Sequence, residues 1–160
     1  MRLTKFLVFT CALILSSCTS DPCEDVTCFN DGVCDDGTCL CAEWYEGIDC
    51  GTEERAKYYG DYLGSLIFYY PDGSVSNSLQ RSLTISEGRA INEVLFNELP
   101  FVFNTSGTSD FIIPVTEVEE AGTIVTYEGY GSFVGKLLVM NGTLVQQGGE
   151  PFSFTFSGLK

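Results

Sequence analysis

The chain has 160 residues, of which 44% are apolar and 19% charged. This is the composition of a folded protein, with room for one ordinary domain or for one domain plus a small module. Its 22 acidic residues outnumber 8 basic ones, and the net charge of −14 argues against a nucleic-acid partner because phosphate would be repelled. There is no histidine, which excludes the usual catalytic triads and the commonest metal ligand.

The first residues have the pattern of an export signal. Arg2 and Lys5 form a short basic region, and residues 6–15 are an apolar run too short to span a membrane as a mature helix. The next four residues are Leu15-Ser16-Ser17-Cys18. They resemble the lipobox of bacterial lipoprotein precursors.

That resemblance implies that residues 1–17 are a cleaved signal peptide and that residues 18–22 form a lipidated tether. Cys18 would carry acyl chains such as palmitate and anchor the protein stably in a membrane. Thr19 stands where an Asp commonly retains such proteins at the inner membrane, so the resemblance implies the outer membrane of the cell envelope. The alternative is an ordinary secretory signal with a chance cysteine.

Six of the remaining cysteines are packed between Cys23 and Cys50, and none follows Gly51. An even set in an exported chain indicates a disulfide framework, for which fifteen connectivities exist in principle. Residues 19–51 contain almost no aliphatic side chains, so cross-links must replace a hydrophobic core. A zinc site is disfavoured because C-x-C occurs where paired C-x₂-C would be expected.

The spacing C-x₄-C-x₅-C-x₄-C-x-C-x₈-C resembles an EGF-like module over residues 23–50. Asn30-Asp31-Gly32-Val33-Cys34 stands where the family shows Asn-Gly-Gly-x-Cys, and Tyr45 and Gly47 stand where the family has an aromatic residue and a glycine before the last cysteine. Trp44 stands where the family usually has glycine. The resemblance implies the pairs Cys23–Cys34, Cys28–Cys39 and Cys41–Cys50.

Nine acidic residues and no basic one lie between Cys18 and Gly51. Some EGF-like modules bind calcium through acidic residues before the first cysteine, and here only Asp21 precedes Cys23. We expect a solvated acidic surface, with a weak calcium site as the alternative and no other cofactor or metal.

The composition changes at Gly51-Thr52-Glu53-Glu54, which predicts a second domain over residues 51–160. Alternating apolar and polar residues, as in Phe152, Phe154 and Phe156, predict strands separated by glycine-rich turns. The expected strands are 57–70, 78–86, 90–98, 100–105, 109–115, 122–131, 136–147 and 150–159. Together they predict an all-β fold, an antiparallel meander forming a barrel or sandwich.

Two segments allow alternatives. Residues 86–99 have apolar residues at near-helical spacing, but the flanking strands and Gly88 favour a strand. Asn141-Gly142 predicts either a two-residue hairpin turn or a bulge within one long strand.

The C-terminal domain resembles the lipocalin-like (calycin) barrels of small bacterial lipoproteins. The residues concerned are Gly60-Asp61-Tyr62 at the first strand, Gly129-Tyr130-Gly131-Ser132 late in the chain, and the closing strand at 152–158. The resemblance implies an antiparallel barrel of about eight strands, which is wide enough to hold one small ligand or to be filled by side chains.

Catalytic groups are scarce. Glu117 and Glu119 could pair for acid–base chemistry, but a solvated acidic loop is the simpler interpretation. The aromatic residues Tyr58, Tyr59, Tyr62, Phe68, Tyr69 and Tyr70 could line a ligand cavity, although barrel core is the more common role. No enzyme activity is expected.

The sequence therefore predicts a lipid-anchored envelope protein that presents a barrel on a disulfide-linked spacer. Its expected function is binding of a small apolar ligand or an extracellular protein. The alternative is a structural or adhesion module with no small-molecule ligand, and the identity of the ligand-binding residues is left open.

Overall fold

A computed structural model describes residues 21–160, so the predictions for the signal segment and for Cys18 lie outside the described residues. The described part contains twelve β-strands and one short 3₁₀ helix. Eight of the strands form a closed antiparallel barrel, and a small disulfide-linked module precedes them. The predicted all-β fold class is confirmed.

Three disulfides hold the N-terminal module together. They join Cys23 to Cys34, Cys28 to Cys39 and Cys41 to Cys50, with Cα atoms 5.9, 5.6 and 5.2 Å apart, and these are the pairs that the EGF-like resemblance implies. The module contains two small hairpin-like pairs, β1 (Val33–Asp35) with β2 (Thr38–Leu40) and β3 (Tyr45–Glu46) with β4 (Thr52–Glu53). Its only buried apolar side chains are two of the cysteines, so the cross-links take the place of a core.

The barrel is an up-and-down meander. Each strand pairs with the next, and β12 pairs back with β5 to close the cylinder. A 3₁₀ helix (Glu54–Tyr58) leads into the strands β5 (Gly60–Tyr69), β6 (Val75–Glu87), β7 (Glu93–Phe96), β8 (Leu99–Phe103), β9 (Asp110–Glu120), β10 (Thr123–Val134), β11 (Leu137–Gln146) and β12 (Pro151–Leu159). Inward positions alternate along the strands and supply the core, with the alternation shifted at bulges in β6 and β9.

The two ends of the barrel differ. The end where β5 begins, which we call the closed end, is covered by the 3₁₀ helix. Tyr58 of that helix stacks on Phe103 and Phe133, with ring centroids 5.1 and 4.3 Å away. The opposite end, which we call the open end, contains the turns that follow β5, β9 and β11, and no helix covers it in residues 21–160. Aromatic stacking against the barrel interior thus fixes the helix over one end only.

Arg55 ties the 3₁₀ helix to the loop between β6 and β7. The side chain is 6% exposed and extends its donors to the carboxylates of Glu53 and Glu87 and to the carbonyl oxygens of Gly88, Ala90 and Glu93. Burial alone would lower its pKa, but the hydrogen bond and charge of Glu53, with the charge of Glu87, outweigh burial and raise it. The guanidinium therefore stays charged and donates hydrogen bonds to three backbone carbonyl groups of this loop.

The disulfide module is attached to the closed end. Trp44 packs against the barrel core, and its backbone N–H donates to the hydroxyl of Ser106. Glu54 accepts hydrogen bonds from the Ser106 hydroxyl and the Gly107 N–H, both at 2.8 Å. Lys57 forms an ion pair with Glu46 at 2.9 Å. The β3–β4 pair spans residue 51, so backbone pairing also continues across the division that the sequence predicts.

The structure decides the open questions about individual segments. Residues 86–99 contain the strand β7, as favoured, rather than a helix. Asn141-Gly142 forms no hairpin turn and lies inside one long strand, β11, as the second alternative predicts. The predicted bulge is wrong, because the two residues pair without interruption with β10 and β12. Gly142 is needed there because an added Cβ would lie 2.4 Å from the Glu128 carbonyl oxygen.

The prediction of a solvated loop around Glu117 and Glu119 is also wrong. The strand β9 extends through Glu117 and Glu119 to residue 120. A register shift at residues 114 and 115, opposite Glu128, exchanges the inward and outward positions. Because of this bulge the apolar alternation breaks at Pro114, where the sequence suggests that the strand ends.

Candidate functional site

The wall of the barrel is incomplete on one side near the open end. Strand β6 pairs with β7 only at residues 85–87, and β9 pairs with β8 only at Phe111 and Ile112. Residues 75–84 of β6 and 114–120 of β9 therefore have no strand partner on the sides that face the gap. We call this gap the side notch; its floor is the turn Asn97-Glu98 of the β7–β8 hairpin.

The side notch has two causes in the sequence. The first is the early reversal of the β7–β8 hairpin at Asn97, whose φ of 53° is in the left-handed region that asparagine tolerates. The second is a pair of prolines. Extending the β8–β9 register by two residues would place Pro100 opposite Pro114, and neither residue has an N–H to donate. The ladder ends before it reaches them.

Apolar side chains line the notch and remain partly exposed. Inward residues near the closed end, such as Tyr62 and Phe101, are fully buried, whereas Phe68, Leu79 and Val118 near the open end are not. Beneath the notch lies a cavity of about 120 Å³. It is lined by Leu66, Phe68, Leu83, Phe96, Asn97, Glu98, Leu99, Val118, Glu120, Tyr127, Met140 and Phe154.

A shallower bowl of about 260 Å³ opens at the end of the barrel and shares Phe68, Glu120 and Tyr127 with the cavity. A cavity of about 150 Å³ accommodates benzene, whereas sites for larger organic ligands usually enclose about 300–1,000 Å³. The cavity alone, at about 120 Å³, is somewhat smaller than the cavity that holds benzene. A larger ligand would have to extend through the notch or into the bowl.

One polar pair lies at the mouth of this apolar space. The Tyr127 hydroxyl donates to Glu120 Oε1 at 2.6 Å. Burial, followed by the hydrogen bond and charge of Glu120, raises the pKa of Tyr127. Tyr127 therefore remains a protonated donor at neutral pH and orients the carboxylate beside the cavity. The bulge in β9 makes this possible because it turns Glu120 to the inward side.

A second surface lies on the outer face of β9–β11. Tyr130 is 63% exposed and separates two open grooves of about 550 and 460 Å³. Ile112 also borders both grooves, while Asp110, Asn104 and other polar residues border the larger one. These grooves are open to solvent and bring no titratable cluster together, so the side notch is the better candidate site.

The aromatic residues singled out in the sequence divide between core and site. Tyr58 and Tyr62 are buried core, Phe68 lines the cavity, and Tyr70 is exposed at the open end. Tyr59 and Tyr69 are partly buried. Sequence alternation does not identify Tyr127 or Glu120 as a pair because the bulge that brings them to one side is invisible in the pattern.

The proposed acid–base pair Glu117 and Glu119 lies on the outward side of β9, and both residues are exposed. Within residues 21–160, no three acidic or cysteine side chains come close enough together to hold a metal ion. Weak calcium binding remains a prediction. In the same part of the chain, no helix is long and apolar enough to cross a membrane.

Comparison of the chain with protein-family models, with curated proteins and with solved structures finds no match.

Proposed function

We propose that the chain is a lipid-anchored protein of the bacterial cell envelope that binds an extracellular partner at the side notch. The observation that carries this proposal is the notch itself, an apolar half-barrel with an incomplete wall. Partly exposed Leu66, Phe68 and Leu79 at one place are typical of a binding surface rather than of a finished core.

A macromolecular partner fits the notch better than a large apolar ligand does. The enclosed space is about 120 Å³, and the closed end is filled by stacked aromatic rings. A partner that inserts a few side chains would cover the exposed apolar surface without needing a deep cavity.

The disulfide module acts in this proposal as an EGF-like spacer. It is attached to the closed end through Trp44 and Glu54, and the chain enters it from the predicted anchor at Cys18. The notch lies toward the opposite end of the barrel. Anchoring at the N-terminus would thus direct the notch away from the membrane and toward a partner.

The anchor is tested by Cys18→Ala. We expect the wild-type protein to fractionate with membranes, and globomycin, which blocks cleavage of lipoprotein signal peptides, to stop removal of residues 1–17. Acylation requires the thiol of Cys18. The variant should be released from the membrane fraction. Unchanged membrane fractionation of Cys18→Ala would contradict the lipid anchor.

The notch is tested with N-phenyl-1-naphthylamine, an uncharged dye that fluoresces in apolar surroundings. We expect Leu66→Asn to reduce the dye's fluorescence enhancement at least about threefold, because Leu66 lines the cavity. The matched control is Leu63→Asn on the same strand, where Leu63 is 65% exposed on the outside of the barrel. Equal effects of the two substitutions would remove the notch as the apolar binding site.

A small ring-containing ligand is a second candidate, because the apolar cavity adjoins the bowl of about 260 Å³ and the Glu120 carboxylate at its mouth can accept a hydrogen bond. Native mass spectrometry of the purified mature chain tests it. A retained adduct that Leu66→Asn removes would favour this candidate over a protein partner.

A further inference from the structure

The side notch exposes backbone groups as well as apolar side chains. Five pairs of neighbouring strands are hydrogen-bonded over most of their length. These pairs are β9–β10, β10–β11, β11–β12, β12–β5 and β5–β6. In the notch, residues 75–84 of β6 and 114–120 of β9 have no neighbouring strand to pair with the alternate N–H and C=O groups that face the gap. At the closed end β7 and β8 lie between β6 and β9. From the β7–β8 turn to the open end these two strands are missing from the wall, and each would occupy about 4.8 Å.

The two unpaired edges are not equivalent. The β9 edge has Pro114, a bulge, and the carboxylates of Glu117 and Glu119, which are the features that protect a free edge from pairing. The β6 edge from 77 to 84 has no proline, no bulge and no carboxylate; the β6 bulge lies before it at Ser76, and its one charged residue is Arg81, on the same face as Leu79 and Leu83. Its outward residues are small or neutral, as at Ser78, Gln80 and Ser82. The β6 edge is therefore the one open to an added strand.

The charge around the notch is acidic. Its borders carry four carboxylates, at Glu98, Glu117, Glu119 and Glu120, against one cation at Arg81. A segment that enters the notch would place its side chains between the neutral β6 edge and the acidic β9 edge. Charge complementarity therefore favours basic side chains on the segment.

We propose that the partner binds by adding an extended segment of alternating apolar and basic residues as a strand on the free edge of β6. This inference rests on the proposed function and specifies the chemistry of the partner. The apolar side chains would point inward and cover Leu66, Phe68 and Leu79, because successive residues of a strand alternate between faces. The basic side chains would point outward, on the face that carries Glu117 and Glu119.

The probe is a seven-residue peptide of alternating valine and lysine, capped at both ends, which fits within the free β6 edge from 75 to 84. Binding to the full mature chain is measured by isothermal titration calorimetry. Two control peptides are methylated on the backbone nitrogens, one at the valines and one at the lysines. Only one set of amides can face β6, so we expect one control to lose about tenfold or more in affinity and the other to bind almost normally.

The acidic border is tested by Glu117→Gln with Glu119→Gln. Both residues are exposed and outward, so folding should be unaffected. We expect about five- to tenfold weaker peptide binding and a smaller dependence on salt. The matched control is Asp35→Asn with Asp36→Asn in the disulfide module, which makes the same change in net charge away from the notch and should leave affinity unchanged.

The outcomes separate this inference from the function on which it rests. If both methylated peptides bind like the parent peptide, strand addition is wrong. If no peptide binds but the uncharged dye still distinguishes Leu66→Asn from Leu63→Asn, the partner chemistry is wrong and notch binding stands. If neither dye nor peptide binds, the proposed function itself fails. A dimer in analytical ultracentrifugation that excess peptide does not dissociate would make a second copy the occupant and overturn the inference.

Discussion

The two ends of the barrel share six strands but differ in how far their inward side chains are buried. At the closed end, inward residues such as Phe101 and Phe111 stack with ring centroids 4.4 Å apart and have almost no exposure. At the open end, inward Phe68 and Val118 keep part of their surface in contact with solvent. The difference shows that inward alternation alone does not bury a side chain. The neighbouring strands must also be long enough to cover it.

Strand length decides which end is filled. The β7–β8 hairpin reaches only Phe96 and Leu99, so it covers the closed half of the interior and stops. Long hairpins elsewhere continue the wall to the open end. One short hairpin therefore separates a stable core from a candidate binding surface without any change in topology.

The largest expected effect comes from truncating one aromatic ring at each end. Phe133→Ala should cost about 3–5 kcal/mol, because the ring is 2% exposed and packs against Tyr58. Phe68→Ala should cost about 1–2 kcal/mol, since its ring is already partly hydrated. Urea unfolding of both variants measures the difference. Equal losses would mean that the open end is as well packed as the closed end.

Two arginines allow a second comparison. Arg55→Ala should destabilise the barrel by about 2–4 kcal/mol, because it leaves the carbonyl oxygens of Gly88 and Glu93 without their donor. Arg81→Ala, at the notch, removes an exposed side chain and should change stability by no more than about 0.5 kcal/mol. Thermal unfolding measured for both variants checks this. A large loss for Arg81→Ala would indicate an interior role for that residue.

Reduction of the disulfides tests how far the closed end depends on the module. We expect amide hydrogen exchange to become fast over residues 23–50, because cross-links rather than a core hold them. Strands such as β12 should keep their protection, since the barrel has its own core. Loss of protection in β12 on reduction would mean that Trp44 and the module are part of what holds the barrel closed.

The sequence predicts the regular parts of this molecule better than the notch. The sequence predicts eight barrel strands, most of them from period-two alternation, as in the closing strand at 152–156, whereas β7 is favoured only by its flanking strands and Gly88. The notch depends on which residues face each other across strands. To see that Pro100 would lie opposite Pro114, one must know the register of β8 against β9, and apolar alternation does not give that register. The inward position of Glu120 likewise depends on a bulge that looks like the end of a strand.

The smallest expected effect concerns the polar pair at the cavity mouth. Tyr127→Phe removes the hydrogen bond to Glu120 and should cost about 0.5–1.5 kcal/mol at pH 7. Burial and the charge of Glu120 raise the pKa of Tyr127 in the folded protein. As the pH rises above about 10, this tyrosine ionises in the unfolded chain but not in the folded one, which lowers the free energy of unfolding of the wild type. Tyr127→Phe has no hydroxyl at this position and does not undergo this loss.

The stability difference between wild type and Tyr127→Phe should therefore narrow above about pH 10, while it stays constant between about pH 7 and 9. Burial also raises the pKa of Tyr59 and Tyr62, but both residues are present in the two proteins and cancel in the comparison. Urea unfolding of both proteins across this pH range is the measurement. A difference that stays constant beyond pH 10 would mean that the Tyr127 hydroxyl is hydrated at the open end rather than held against Glu120.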